Sequence, residues 1–180
     1  MKRLFAILLS LLMVVSITAC SSNDEVEKPE STPAFRTYQK LTYTDFNNFA
    51  TEKGYSPVEN TDNSEIDFKR SFGIEKDNGF NILFYEVEDI AIAYTYYSYV
   101  LQTYEAYLAE FSSSTRYNNF GCYILKDDAA TVYIAFVDNT LVYSLIYEED
   151  DAKHAELRKE LIDFIQYLDY PIMEVPEFTK

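Results

Sequence analysis

Between Tyr117 and Tyr147 the sequence repeats one pattern three times, and that pattern restricts the fold more than anything else in it. Tyr117–Leu125, Thr131–Val137 and Leu141–Tyr147 are runs rich in Val, Ile, Leu, Phe and Tyr. They are parted by Lys126-Asp127-Asp128-Ala129 and by Asp138-Asn139-Thr140. β-Branched and aromatic runs bounded by turn residues predict strands. Links this short close hairpins, because a parallel crossover needs about a dozen residues or more. An antiparallel sheet follows.

A second hairpin precedes these three strands. Ile66, Phe68, Phe72 and Ile74 fall at even positions, with Asp67, Lys69, Ser71 and Glu75 between them, and Arg70 interrupts the apolar set. This alternation predicts a half-buried strand. Lys76-Asp77-Asn78-Gly79 carries the Asn-Gly hairpin signal, and Phe80–Val87 is the return strand. Helical spacing fills the remainder. Thr44 is placed to cap a short helix in which Phe46, Phe49 and Ala50 share a face, and Gly54 suits its left-handed stop. Residues 56–64 read as loop. Over 89–111, Ile90, Tyr94, Tyr97, Leu101, Tyr104, Leu108 and Phe111 recur at alternating gaps of four and three behind Asp89, which predicts the longest helix. Ser112-Ser113-Ser114 then reads as a linker. Asp150 or Asp151 caps a last helix whose Leu157, Leu161, Phe164 and Leu168 share a face, and Tyr170-Pro171 stops it.

The expected fold is therefore α+β: a mainly antiparallel sheet of about five strands with three helices, in the order α-β-β-α-β-β-β-α. Residues 36–170 form a single domain and 171–180 a tail. A domain of about 140 residues buries roughly two-thirds of its unfolded surface and stands without staples.

The N-terminus carries an address. Lys2 and Arg3 precede an apolar run, Leu4–Val15, that is shorter than the span of about 20 residues a membrane helix needs. Ser16-Ile17-Thr18-Ala19 leads into Cys20. This is the layout of a secretory signal, and Ile17-Thr18-Ala19-Cys20 resembles the lipobox of bacterial prolipoproteins. The resemblance implies cleavage before Cys20, a signal peptide at 1–19, and a diacylglycerol on the Cys20 sulfur with further acylation such as palmitate. The implied location is the extracytoplasmic face of the cell membrane. Residues 20–35 read as a flexible acidic tether, with Asp24, Glu25, Glu27 and Glu30 among Ser, Thr and Pro. In composition and element order the domain is similar to small lipoprotein domains of low-GC bacteria.

Charge excludes one class of partner. The chain holds 30 acidic residues against 15 Lys plus Arg, a net charge of −15 that becomes −17 once Lys2 and Arg3 leave with the signal. Such a chain repels nucleic-acid phosphates and has no basic stripe to offset that. With Cys20 acylated, Cys122 is left as the single thiol, so no internal disulfide forms, and its strand setting predicts a buried packing cysteine.

Catalytic chemistry is not written in the sequence. His154 is the single histidine, and Glu148-Glu149-Asp150-Asp151 before it predicts a solvated, charge-paired ring. No Gly-rich phosphate loop, HExxH or GxSxG occurs. The carboxylates at 148–151, at Asp127-Asp128 and around Asp62 do not match an EF-hand spacing, so no metal and no cofactor are expected. What remains is tyrosine, at 17 copies with no Trp. Tyr133, Tyr143 and Tyr147 lie on strands that are apolar on both faces, and Tyr combines contact area with a polar tip. The expected function is a membrane-anchored, non-catalytic binding module for an envelope protein, peptide or glycan, with those three tyrosines as the ligand face. The alternatives are a small-solute-binding lipoprotein and a cell-envelope hydrolase.

Overall fold

The computed structural model describes residues 37–59, 68–76, 79–105 and 111–173. The signal at 1–19, Cys20, the tether, Ile66, Leu108 and the tail past Met173 lie outside them. From Thr37 on, the chain is one compact unit. In chain order its elements are α1 (Tyr43–Glu52), β1 (Val58–Glu59), β2 (Phe68–Lys76), β3 (Phe80–Val87), α2 (Ile90–Glu105), β4 (Phe111–Arg116), β5 (Phe120–Lys126), β6 (Ala130–Val137), β7 (Thr140–Tyr147) and α3 (Asp151–Tyr167). The fold is α+β. Its seven described strands form one sheet, ordered β1-β2-β3-β7-β6-β5-β4, with every neighbouring pair antiparallel.

The five expected strands occupy the middle of that sheet, and β1 and β4 extend its two edges. Neither edge strand has the alternation that marked the others. β1 is two exposed residues. β4 contains the serines taken for a linker, and Phe111, expected at the end of the long helix, begins it. An edge strand is held chiefly by its backbone ladder to one neighbour, so it can be polar and still pair.

Three local features set the register. The alternation across β2 breaks because the ladder shifts between Phe68 and Arg70, leaving Lys69 as a bulge. One extra residue reverses face parity. Phe68 thus packs with the α2 side of the sheet, while Phe72 and Ile74 pack on the other. At the β2–β3 hairpin Gly79 has φ +73, and a Cβ there would stand 2.6 Å from the Tyr147 carbonyl oxygen, which ties the turn to β7. At the β6–β7 turn Asp138 takes φ 52, and Asn139 binds Val87 through both its backbone carbonyl (3.0 Å) and its side chain (2.6 Å).

The caps follow chemistry close to expectation. Thr42, not Thr44, caps α1: its hydroxyl accepts from Asp45 N–H at 3.1 Å while Asp45 Oδ2 accepts from Thr42 N–H at 3.0 Å. That reciprocal pair is a capping box, and it holds the Asp45 carboxyl below its ordinary range. The helix ends at Gly54, φ +83, where Gly54 N–H reaches Thr51 O and Tyr55 N–H reaches Ala50 O. Asp89 caps α2 through Ala91 and Ile92 N–H, and Asp150 caps α3 through Lys153 N–H.

The sheet is covered on both faces, unequally. On one face, Phe46 and Ala50 of α1 and Leu161, Phe164 and Ile165 of α3 close over Phe84, Cys122, Tyr133, Ala135, Val142 and Ile146. On the other, among the described residues, α2 alone sets Ala93, Tyr97 and Val100 on Tyr85, Tyr123, Val132, Ile134 and Phe136. The contact line of α2 runs beside the expected stripe: Ala93 and Val100 are buried, and Ile90 is 37% exposed.

Candidate functional site

The three singled-out tyrosines do not meet. Tyr133 lies under α3, wholly buried, and its hydroxyl donates to the Pro171 carbonyl at 2.6 Å. Burial holds that hydroxyl neutral, far above its ordinary pKa. Tyr133 pairs with Ser144, whereas Tyr143 pairs with Ile134, so Tyr133 and Tyr143 project from opposite faces. Tyr143 is half-buried on the α2 face, its hydroxyl 3.3 Å from that of Tyr104. Tyr147 shares the Tyr143 face by alternation, is 56% exposed and donates to Glu149 at 3.2 Å. A ligand face built from all three is corrected to one that can hold Tyr143 and Tyr147. Tyr133 is a core residue.

Tyr143 meets the end of α2 through Tyr104, and past it the face continues to the exposed Tyr147. The register places Val58, Gly73, Leu83 and Tyr143 in one row across β1, β2, β3 and β7. Val58 is 68% exposed, and Leu83, Tyr143 and Leu145 are half-buried. A groove of about 330 Å³ opens along this row, floored by Gly73 and Leu83 and rimmed by Ser56, Glu59 and Glu75. A Cβ on Gly73 would stand 3.1 Å from Leu83 Cδ2, so any larger residue crowds that floor. Farther along β2 on the same face, Ser71 is buried, has no hydrogen-bond partner for its hydroxyl among the described residues, and lies opposite Tyr85. Burial raises the pKa of Tyr85, Tyr96 and Tyr143. These tyrosines on the same face therefore stay neutral, while the groove rim carries Glu59 and Glu75. Such a surface can pack and hydrogen-bond a partner.

His154 differs from expectation. It is buried, with Nδ1 3.2 Å from the Asp128 carbonyl oxygen and Nε2 3.0 Å from Thr131 Oγ1. Burial, the largest influence, pulls its pKa down despite the Asp128 contact. The ring clasps the β5–β6 turn to α3 and is not solvated. Arg158, one turn on, is buried too. The sequence held a signal for both: His154, Leu157, Arg158, Leu161 and Ile165 follow helical spacing along the apolar stripe. Cys122 is fully buried, its thiol pushed up to about 12 by burial although the Met173 backbone N–H reaches the sulfur. Among the described residues no three His, Cys, Asp or Glu side chains gather as a metal site, and no helix is long and apolar enough to cross a membrane.

No protein-family model matches the chain, and no curated protein does. Among solved structures it is similar to a GTP-binding regulator from Thermotoga maritima, at 10% identity and a TM-score of 0.40, over 71% of this chain and 84% of that one. A likeness of that degree carries no functional argument.

Proposed function

We propose that this protein is an extracytoplasmic lipoprotein, held on the membrane through acylated Cys20, whose domain is a non-catalytic binding module for a basic, partly apolar segment of an envelope protein or peptide. The observation that carries the binding role is the open row of Val58, Gly73, Leu83 and Tyr143, continued along β7 by Leu145 and Tyr147. Singly exposed apolar residues are ordinary, whereas a contiguous set rimmed by polar groups marks an interaction surface. Three of these side chains are aliphatic, which suits apolar side chains of a peptide better than sugar rings. Glu59 and Glu75 on the rim, in a chain of net charge −15, select a cationic partner and repel an anionic one.

Titrating the full chain with a fluorescent peptide of alternating Lys and Val tests this. Tyr147→Ala and Glu75→Gln should each weaken binding by roughly tenfold, the scale of one good contact, with an unchanged unfolding midpoint. Tyr133→Ala should instead cost about 3–5 kcal/mol of stability, as large core truncations do. Binding that is indifferent to Tyr147 and Glu75 would show that the open row is not the site.

A further inference from the structure

The opposite edge of the sheet has its own groove. Strand β4 is outermost, and Tyr117 N–H donates to Phe120 O at 2.7 Å, so the pair closing the β4–β5 hairpin is hydrogen-bonded. In an antiparallel ladder bonded and non-bonded pairs alternate. Thr115 with Cys122 is then a bonded pair, and Ser112, Ser114 and Arg116 stand in non-bonded pairs with Leu125, Tyr123 and Gly121. The N–H and C=O groups of those three residues consequently point away from β5, toward the edge that no described strand pairs. Beside them α2 and β4 enclose a groove of about 360 Å³, lined by Tyr94, Ser98, Leu101 and Gln102 from the helix and by Ser114 and Arg116 from the strand. Arg116 is the single charged residue of that lining. Its guanidinium is 3.8 Å from the centre of the Tyr94 ring, bonds the Tyr94 hydroxyl at 2.8 Å and is exposed. Among the described residues it forms no ion pair.

From this juxtaposition we infer a second docking surface: an extended segment of a partner protein adds as an eighth strand along β4, and a carboxylate on that segment pairs with Arg116. An exposed edge beside a helix-walled groove suits strand addition, in which backbone bonds supply affinity and alternate side chains entering the groove supply specificity. Arg116 apart, β4 carries no charged residue, and it has none of the lysines or prolines that usually block such pairing. The charge selects the occupant. In a protein this acidic, a groove whose one charge is a guanidinium already fixed in position by Tyr94 favours a carboxylate. The inference does not depend on the open row at the β1–β2 edge, which is acidic and selects the opposite charge.

The test uses the full chain and a set of acetylated heptapeptides of alternating Val and Thr, with Glu placed at each position in turn. Amide exchange at Ser112, Ser114 and Arg116 should be fast in the free protein and slow once a Glu peptide is bound. Replacing Glu by Lys should weaken binding by roughly tenfold, and N-methylation of alternate peptide nitrogens should abolish it. Ser114→Pro removes an outward N–H and leaves the β4–β5 ladder intact, so it should cost the binding and spare the melting temperature. Arg116→Gln should erase the preference for Glu over Lys. Three outcomes overturn the inference. One is that no peptide of the set binds at millimolar concentration. Another is binding that survives Ser114→Pro and N-methylation. The third is slow exchange at all three amides without peptide, or self-association abolished by Ser114→Pro, which would mean that the edge is occupied already or takes a second copy of the chain.

Discussion

The Asp128 carbonyl can only accept, so the His154 nitrogen beside it, Nδ1, carries a proton. Nε2 can then take the Thr131 hydroxyl proton, and the neutral ring satisfies both contacts. A second proton would make Nε2 a donor, turn the threonine around and place charge in a buried site already near Arg158 and Lys126, with Asp151 as partial compensation. The folded ring therefore resists a proton that the unfolded chain accepts near pH 6.5. Stability from this residue is complete above that pH and is lost as pH falls through the window below it, until the folded ring also titrates. Urea unfolding at pH 7 and pH 5.5 should give a smaller free energy at the lower pH, and His154→Gln should shrink the difference. An unchanged difference in the variant would assign the acid sensitivity elsewhere. The sequence misled here for a local reason: four acidic residues precede His154, while the stripe that buries it comes from residues following it. Tyr133 was misread in a related way. Alternation established that the strands are apolar on both faces, but which face each helix covers is decided by the sheet as a whole.

Among elements, hairpin strands were legible and edge strands were not. β3, β5, β6 and β7 are flanked by strands on both sides and buried against helices, so their composition records their position. β1 and β4 each answer to one neighbour and retain little apolar signal. The bulge at Lys69 was visible as Arg70 interrupting the even positions, although its effect on face parity required the pairing itself. Gly121 offers a test of how tightly β5, β6 and α2 fit together. It stands opposite Phe136, and a Cβ there would come within 2.5 Å of the Phe136 ring. That ring packs edge-on against Tyr94 and Tyr97 of α2, at 6.3 and 5.3 Å, which restricts where it can go. Gly121→Ala should therefore destabilise by about 1–3 kcal/mol, the usual cost of overpacking a core, in urea unfolding. A neutral result would mean that α2 yields easily and that its hold on the sheet is loose.

On the scale of the whole molecule, the described helices cover the two sheet faces differently, and the two proposed docking surfaces would select opposite charges. α1 and α3 close one face, α2 covers part of the other, and both candidate surfaces border α2. Net charge then bears on how such a domain stays at a membrane. At −15, or −17 if residues 1–19 are removed as proposed, it gains nothing from an anionic lipid surface. On the proposed reading retention rests on Cys20, where acylation would contribute about 0.8 kcal/mol per buried methylene and two chains hold where one is marginal. Salt separates the two kinds of attachment: at about 1 M the Debye length falls to about 3 Å, and contacts held by surface charge let go. The full chain in its host should remain with the membrane fraction through such a wash, leave it in detergent and take up labelled palmitate. Cys20→Ser should take up no label. If the unaltered chain takes up no label and the variant stays in the washed membranes all the same, Leu4–Val15 is acting as an uncleaved anchor and the lipoprotein reading fails. If it appears outside the membrane fraction, the acyl chains are the attachment, and the tyrosine row and the β4 edge are free to engage partners instead of lipid.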